Sequence, residues 1–178
     1  NQAFGQLLQF SDKIDEQIYK REDTVNYLDK VISEYISTAL ATPNLNVNIS
    51  QALSSYYLML VDIERISDYA VNMNHQATKR LQGDMTISEI EIVEHMKKLC
   101  VDMKNDLSDV EEAERKDDVI DSLVSSWREA QIQALKQQKC SSEVSMMLSR
   151  IFTDFERIND HALNVSQEFD KINIEIPE

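Results

Sequence analysis

A chain of 178 residues with only two Gly and two Pro holds little material for the tight turns of a sheet, so composition selects an all-α fold. Its 32 Asp and Glu against 18 Lys and Arg give a net charge of −14, which repels phosphate backbones and argues against nucleic acid as the main partner. Cys100 and Cys140 have neither CxxC spacing nor a near partner, so no disulfide framework or thiolate metal site is written here and a reducing compartment fits.

The first predicted element is a short apolar piece, Phe4 to Phe10. Ser11 and Asp12 then cap a long helix reaching about Ala41, whose buried stripe reads Ile14, Ile18, Val25, Leu28, Ile32, Tyr35 or Ile36, and Ala39. Pro43 and the Asn-rich stretch end it. The uncharged run from Tyr35 to Val61 is broken by Pro43, Asn44, Asn46 and Asn48, so it lacks the ~20 consecutive apolar residues of a membrane span. Ser50 is placed to cap a helix from about Gln51 to Leu81, with Met59, Ile63, Ile66, Ala70, Met73 and Ala77 as its seam and Gly83 at its end.

Thr86 with Glu89, or Ser88 with Glu91, makes a capping-box pattern opening a helix through Ile90, Val93, Leu99 and Met103. The next helix, about Asp109 to Gln138, carries Val119, Ile120, Leu123, Trp127, Ile132 and Leu135. After the turn Lys139-Cys-Ser-Ser142, the last helix runs from about Glu143 to Phe169 along Leu148, Ile151, Phe155, Ile158, Ala162, Val165 and Phe169.

The chain repeats itself. Val61-Asp-Ile-Glu-Arg-Ile-Ser-Asp-Tyr-Ala-Val-Asn-Met73 returns as Thr153-Asp-Phe-Glu-Arg-Ile-Asn-Asp-His-Ala-Leu-Asn-Val165, with seven of thirteen positions identical and five of those seven polar. Arg21 to Leu28 aligns in the same way with Lys116 to Leu123. Core packing does not ask for the same polar residue twice, so the duplicated polar face is where function is sought. Each half, 1–82 and 83–178, is a unit of two long helices and a shorter leading one, which makes two three-helix bundles in tandem. The first helix of the first half reads as truncated.

With Ile63 as zero and about 100° per residue, Glu64, Asp68 and Asn72 fall at about 100°, 140° and 180°, well away from the apolar seam. Glu156, Asp160 and Asn164 repeat the stripe. Carboxylates four apart have Cβ atoms ~6 Å apart on one face and can converge on a hard cation, the remaining oxygens coming from Asp117 and Asp121 on the neighbouring helix, or Glu22 and Asn26 in the first half. Arg65 and Arg157 lie close enough on the same scale to pair with these acids, so a salt-bridge network without metal is the competing reading.

The doubled D-x-E-R-I-x-D-x-A-x-N resembles the signature of PhoU domains, over about residues 11 to 170. The resemblance implies two tandem three-helix bundles and surface ExxxD motifs, two per bundle, that bind polynuclear iron or other transition-metal clusters in some members. Glu22–Asn26, Glu64–Asp68, Asp117–Asp121 and Glu156–Asp160 stand where those motifs would be. Asn26 departs from the pattern, since a carboxylate is expected there, which weakens a full cluster in the first bundle.

The same resemblance implies a regulator of phosphate uptake rather than an enzyme, with iron, zinc, manganese or another divalent ion as cofactor. Its partners would be a phosphate transporter or phosphate-signalling proteins. The family includes free-standing cytosolic proteins and cytoplasmic C-terminal tails of sodium/phosphate cotransporters. The Lys139–Glu143 connection and a chain opening in helix favour the tail, at the inner face of the membrane.

Catalysis has no support in the residues. The positions three before His75, His95 and His161 are Asn72, Ile92 and Ile158, so the Glu-x-x-His pattern of di-iron bundles is absent, and no glycine-rich phosphate loop occurs. A metal-free acidic adaptor that docks a basic partner is the alternative function. Tyr56 and Tyr57 are left open between packing among the bundles and a homodimer contact.

Overall fold

The computed structural model describes residues 1–79 and 85–175, and within them every regular element is an α-helix: α1 (Gln2–Leu8), α2 (Asp12–Leu40), α3 (Val47–Lys79), α4 (Ile87–Asn105), α5 (Val110–Lys136) and α6 (Ser142–Glu175). The predicted helix end at Leu81 and Gly83 lies outside the described residues. None of these helices is long and apolar enough to cross a membrane.

The starts of the helices follow local chemistry, not always at the expected residue. Thr86 and Glu89 form the reciprocal capping box of α4, and Asp109 accepts the Glu112 backbone N–H at 3.1 Å to start α5. At α3 the cap moves upstream: the Asn46 side chain accepts the Asn48 N–H at 2.8 Å, and Ser50, expected as the cap, lies inside the helix. Ser11 precedes α2 but its side chain caps nothing. Its backbone is instead held by buried Gln6, whose Oε1 accepts the Ser11 N–H at 2.8 Å and whose amide donates to the Ser11 carbonyl at 3.0 Å.

Helix α5 ends in a Schellman turn: the Lys139 N–H reaches the Ala134 carbonyl at 2.9 Å and the Gln138 N–H the Leu135 carbonyl at 3.0 Å. Gln138 holds the left-handed position, φ 56°, which usually takes Gly because a Cβ crowds the carbonyl there. Gln138→Gly should therefore raise stability by about 0.5–1 kcal/mol, read as a higher urea midpoint, whereas a loss would mean the Gln side chain contributes a contact of its own.

The repeats share one core. Its main buried cluster takes Phe4 and Leu7 from α1, Ile18 from α2, Met73 and Ala77 from α3, Val93 and Met96 from α4, Ile120 and Val124 from α5, and Leu148, Ile151, Phe152 and Phe155 from α6. Trp127 packs against the cluster, tilted to Phe155 and stacked on Phe152. Helices α3 and α6, which carry the duplicated motif, form the most extensive pairing in the molecule.

Several predicted seam residues lie outside this core. On α2 only Ile18 and Ile36 are buried, while Leu28, Ile32 and Tyr35 are exposed; Ile63 on α3, Val119, Ile132 and Leu135 on α5 and Phe169 on α6 are exposed too.

Candidate metal-binding faces

The four predicted ligands of the second half come from two helices packed side by side, Asp117 and Asp121 from α5, Glu156 and Asp160 from α6. Side-chain bonds cross the pair at several levels, from Arg128–Glu156 to Gln167–Glu114. Buried Asn159, next to Asp160, donates its Nδ2 to Asp117 Oδ1 at 2.5 Å, across the helix pair. Burial first, and then the charges of Asp121 and Asp160, push the Asp117 carboxyl up to about 6, against the lowering effect of the Asn159 bond. Asp121 is raised as well, by desolvation and then by Asp160 and Glu156. Asp160 is thus within electrostatic reach of both α5 acids, and Glu156 of Asp121.

Arginines take part of the face. Arg128 Nη2 meets Glu156 Oε2 at 2.5 Å, also donates to Thr153 Oγ1 at 3.1 Å, and lies over the Phe152 ring. Arg157 pairs with Asp160 at 3.1 Å. Among the described residues, no three His, Cys, Asp or Glu side chains stand together as they would around a metal ion.

The first half differs in kind. Asn26 donates to Glu22 Oε1 at 2.6 Å, so that motif is closed on itself. Arg65 reaches Glu64 at 3.7 Å and Asp68 at 3.4 Å. Ser67, at the position equivalent to Asn159, lines a cavity of about 150 Å³ together with Glu22 and Arg21, and the side-chain bond from α3 to α2 falls elsewhere, Asn74 Nδ2 donating to Asp15 Oδ1 at 2.6 Å. Asn26 leaves the first half with the carboxylates of Glu22, Glu64 and Asp68, where the second half has those of Asp117, Asp121, Glu156 and Asp160.

Sequence reasoning missed a polar contact between the repeats. Asp62 of α3 accepts from His161 Nδ1 at 2.7 Å and from Asn164 Nδ2 at 3.2 Å on α6, and Tyr69 stacks on the imidazole with centroids 5.8 Å apart. A carboxylate oxygen only accepts, so Nδ1 is the donor in this contact. His161 thus faces the other repeat rather than its neighbour Asp160. The repeat itself held the signal, since Asp62 and Asn164 are both duplicated positions. Asp154, the counterpart of Asp62, is pushed up to about 6 by burial, with Arg150 opposing.

The PhoU domain family model matches residues 3–77 and 87–169, both halves of the duplication. The phosphate-specific transport system accessory protein PhoU homolog 1 of Thermotoga maritima is 23% identical over 180 residues, covering 94% of this chain and 76% of that protein. The crystal structure of PhoU from Pseudomonas aeruginosa superposes with a TM-score of 0.85 over 99% of this chain and 88% of that one, at 19% identity, a likeness of fold. On the match of both repeats, the chain belongs to the PhoU domain family.

Proposed function

We propose that this chain regulates phosphate uptake, docking on a phosphate transporter or its signalling partners, and that the second repeat binds a divalent or iron cation through Asp117, Asp121, Glu156 and Asp160. The regulatory half of this reading rests on family membership, since PhoU proteins are accessory to phosphate transport. The metal half rests on the Asn159–Asp117 contact, which holds an acid pair of α5 in register with an acid pair of α6. Oxygen donors on two packed helices suit hard or borderline cations such as manganese, iron or zinc. Such an ion would supply positive charge to a patch whose acids otherwise repel one another, and would tie α5 to α6. Glu22, Asn26, Glu64 and Asp68 fit a cation less well, because Asn26 supplies a neutral amide where the second half has a carboxylate, and that amide bonds Glu22.

The finer form of the reading places the domain as the cytoplasmic tail of a sodium/phosphate cotransporter, restraining its membrane domain when phosphate is plentiful. Deleting the region should then release phosphate-dependent control of uptake, and uptake unchanged by the deletion counts against it.

The metal is tested separately. Protein purified without chelator should contain manganese, iron or zinc that Glu156→Gln reduces at least tenfold and Glu64→Gln leaves in place. No metal in any preparation removes this half of the proposal. It would leave the metal-free adaptor, which the Arg65, Arg128 and Arg157 pairs favour.

A further inference from the structure

Arg128 stands in line with the predicted ligands. On α5 it follows Asp117 by 11 residues and Asp121 by 7, spacings that return close to the same helix face at about 100° per residue. On α6 its contacts, Ser149, Thr153 and Glu156, belong to the stripe that continues to Asp160. The helices run antiparallel, so Asp117 meets Asn159 at one level and Arg128 meets Glu156 and Thr153 at another. Glu156 lies between the guanidinium it bonds and Asp121, whose carboxyl feels its charge.

The guanidinium has more holds than an ion pair needs. Nη2 donates to Glu156 Oε2 at 2.5 Å and to Thr153 Oγ1 at 3.1 Å, Nη1 reaches the Ser149 carbonyl at 3.5 Å, and the group lies 5.8 Å from the centre of the Phe152 ring. Should Glu156 turn away, a hydroxyl, a carbonyl and a ring face remain, so the charge is not left bare. The fold does not require this cradle, because the first repeat lacks it. Extending the alignment of Arg21–Leu28 with Lys116–Leu123 sets Ser33 opposite Arg128, and the motif's own alignment sets Tyr57, Leu60 and Val61 opposite Ser149, Phe152 and Thr153. The arginine and its supports occur in the repeat that carries the fuller set of carboxylates.

We propose that Arg128 is a built-in competitor of the metal: its guanidinium holds Glu156 in the metal-free protein, and a divalent cation binds by drawing Glu156 away toward Asp117, Asp121 and Asp160. This rests on the reading of the α5 and α6 acids as a cation site, and adds the residue that sets its affinity. A divalent ion on the same carboxylate would stand beside the guanidinium, and like charges at that separation repel, so the two exclude each other. Arg128 then returns to Thr153, Ser149 and Phe152, and the face fills only at metal concentrations high enough to displace it.

Calorimetric titration of manganese(II) into the wild type and Arg128→Met decides the matter, since Met keeps an apolar stem over Phe152 and removes the charge. The variant should bind manganese at least fivefold more tightly. Arg115→Met, which removes an equal charge from the exposed pair with Glu112 on α5, should change the affinity less than twofold. In chelator Arg128→Met should melt below the wild type, and saturating manganese should narrow that gap. Arg128→Gln takes its place if the methionine variant does not fold. Manganese bound by the wild type and bound equally or more weakly by the Arg128 variant overturns the proposal and leaves the cation site standing. A fivefold gain matched by Arg115→Met also overturns it, because net charge then accounts for the gain. Binding by the Arg128 variant alone supports it, and no manganese on any of the chains removes both the proposal and the site.

Discussion

Phe155→Ala is expected to cost about 3–5 kcal/mol, the largest loss of any single truncation considered, and to lower the urea midpoint accordingly. The ring is 1% exposed and joins three helices: it meets Phe4 of α1 edge to face at 6.0 Å and Trp127 of α5 at 6.4 Å. Removing it takes away its buried area, two aromatic contacts and the wall between the core and the neighbouring cavity. Against a total stability of about 5–15 kcal/mol, that loss leaves a marginal fold. The repeat supplies an internal control. Ile63 holds the same position in the first half but is exposed, so in this chain Ile63→Ala should cost about 1 kcal/mol or less. Equal losses at the two sites would mean that Ile63 is covered in solution and that the asymmetry of the repeats is not real.

That asymmetry also explains what the sequence could and could not convey. Every long helix is legible because three-and-four spacing depends only on the helix's own geometry, and the Thr86–Glu89 capping box is a local reciprocal bond. Exposure of Leu28, Ile32 and Tyr35 is not legible, since spacing reports which face seeks burial and says nothing about whether a neighbour is present to cover it. The shift of the α3 cap from Ser50 to Asn46 comes from a choice among several capping residues in one loop, which composition cannot rank.

At the candidate site the acids were found by repetition, but their partners are nonlocal. Arg128 bonds Glu156 from a neighbouring helix, Asn159 bonds Asp117 from 42 positions away, and Asp62 meets His161 from 99 positions away. Helical periodicity places each residue on a face, and only the packing of α3, α5 and α6 decides which faces meet.

The Asp117→Asn, Asp121→Asn double variant should reverse its effect on stability when metal is added. Without metal, Asp117 ionises at about 6 in the folded protein, above the 3.8 expected of the unfolded chain. Near pH 3.5 the carboxyl is largely protonated in both states and costs little. As pH rises from 4 toward 6 the unfolded chain loses its proton first, so folding is progressively disfavoured, and above about 6 the full penalty is in place. Solvent screens this half-buried face, so the penalty is about 1 kcal/mol or less, worth ~2–4 °C in a domain of this size.

The double variant removes that penalty and keeps an acceptor for Asn159, so in chelator at pH 7.5 it should melt above the wild type, with no advantage near pH 3.5. Saturating manganese should invert the order. A ligand at a hundred times its Kd stabilises by about 2.7 kcal/mol, a gain open to the wild type alone once the two α5 carboxylates are gone. If manganese leaves the wild-type midpoint where it was, α5 and α6 share an acidic patch that binds no such cation. If the variant melts lower in chelator, the α5 carboxylates are held by net-favourable contacts, the Asn159 bond to Asp117 among them.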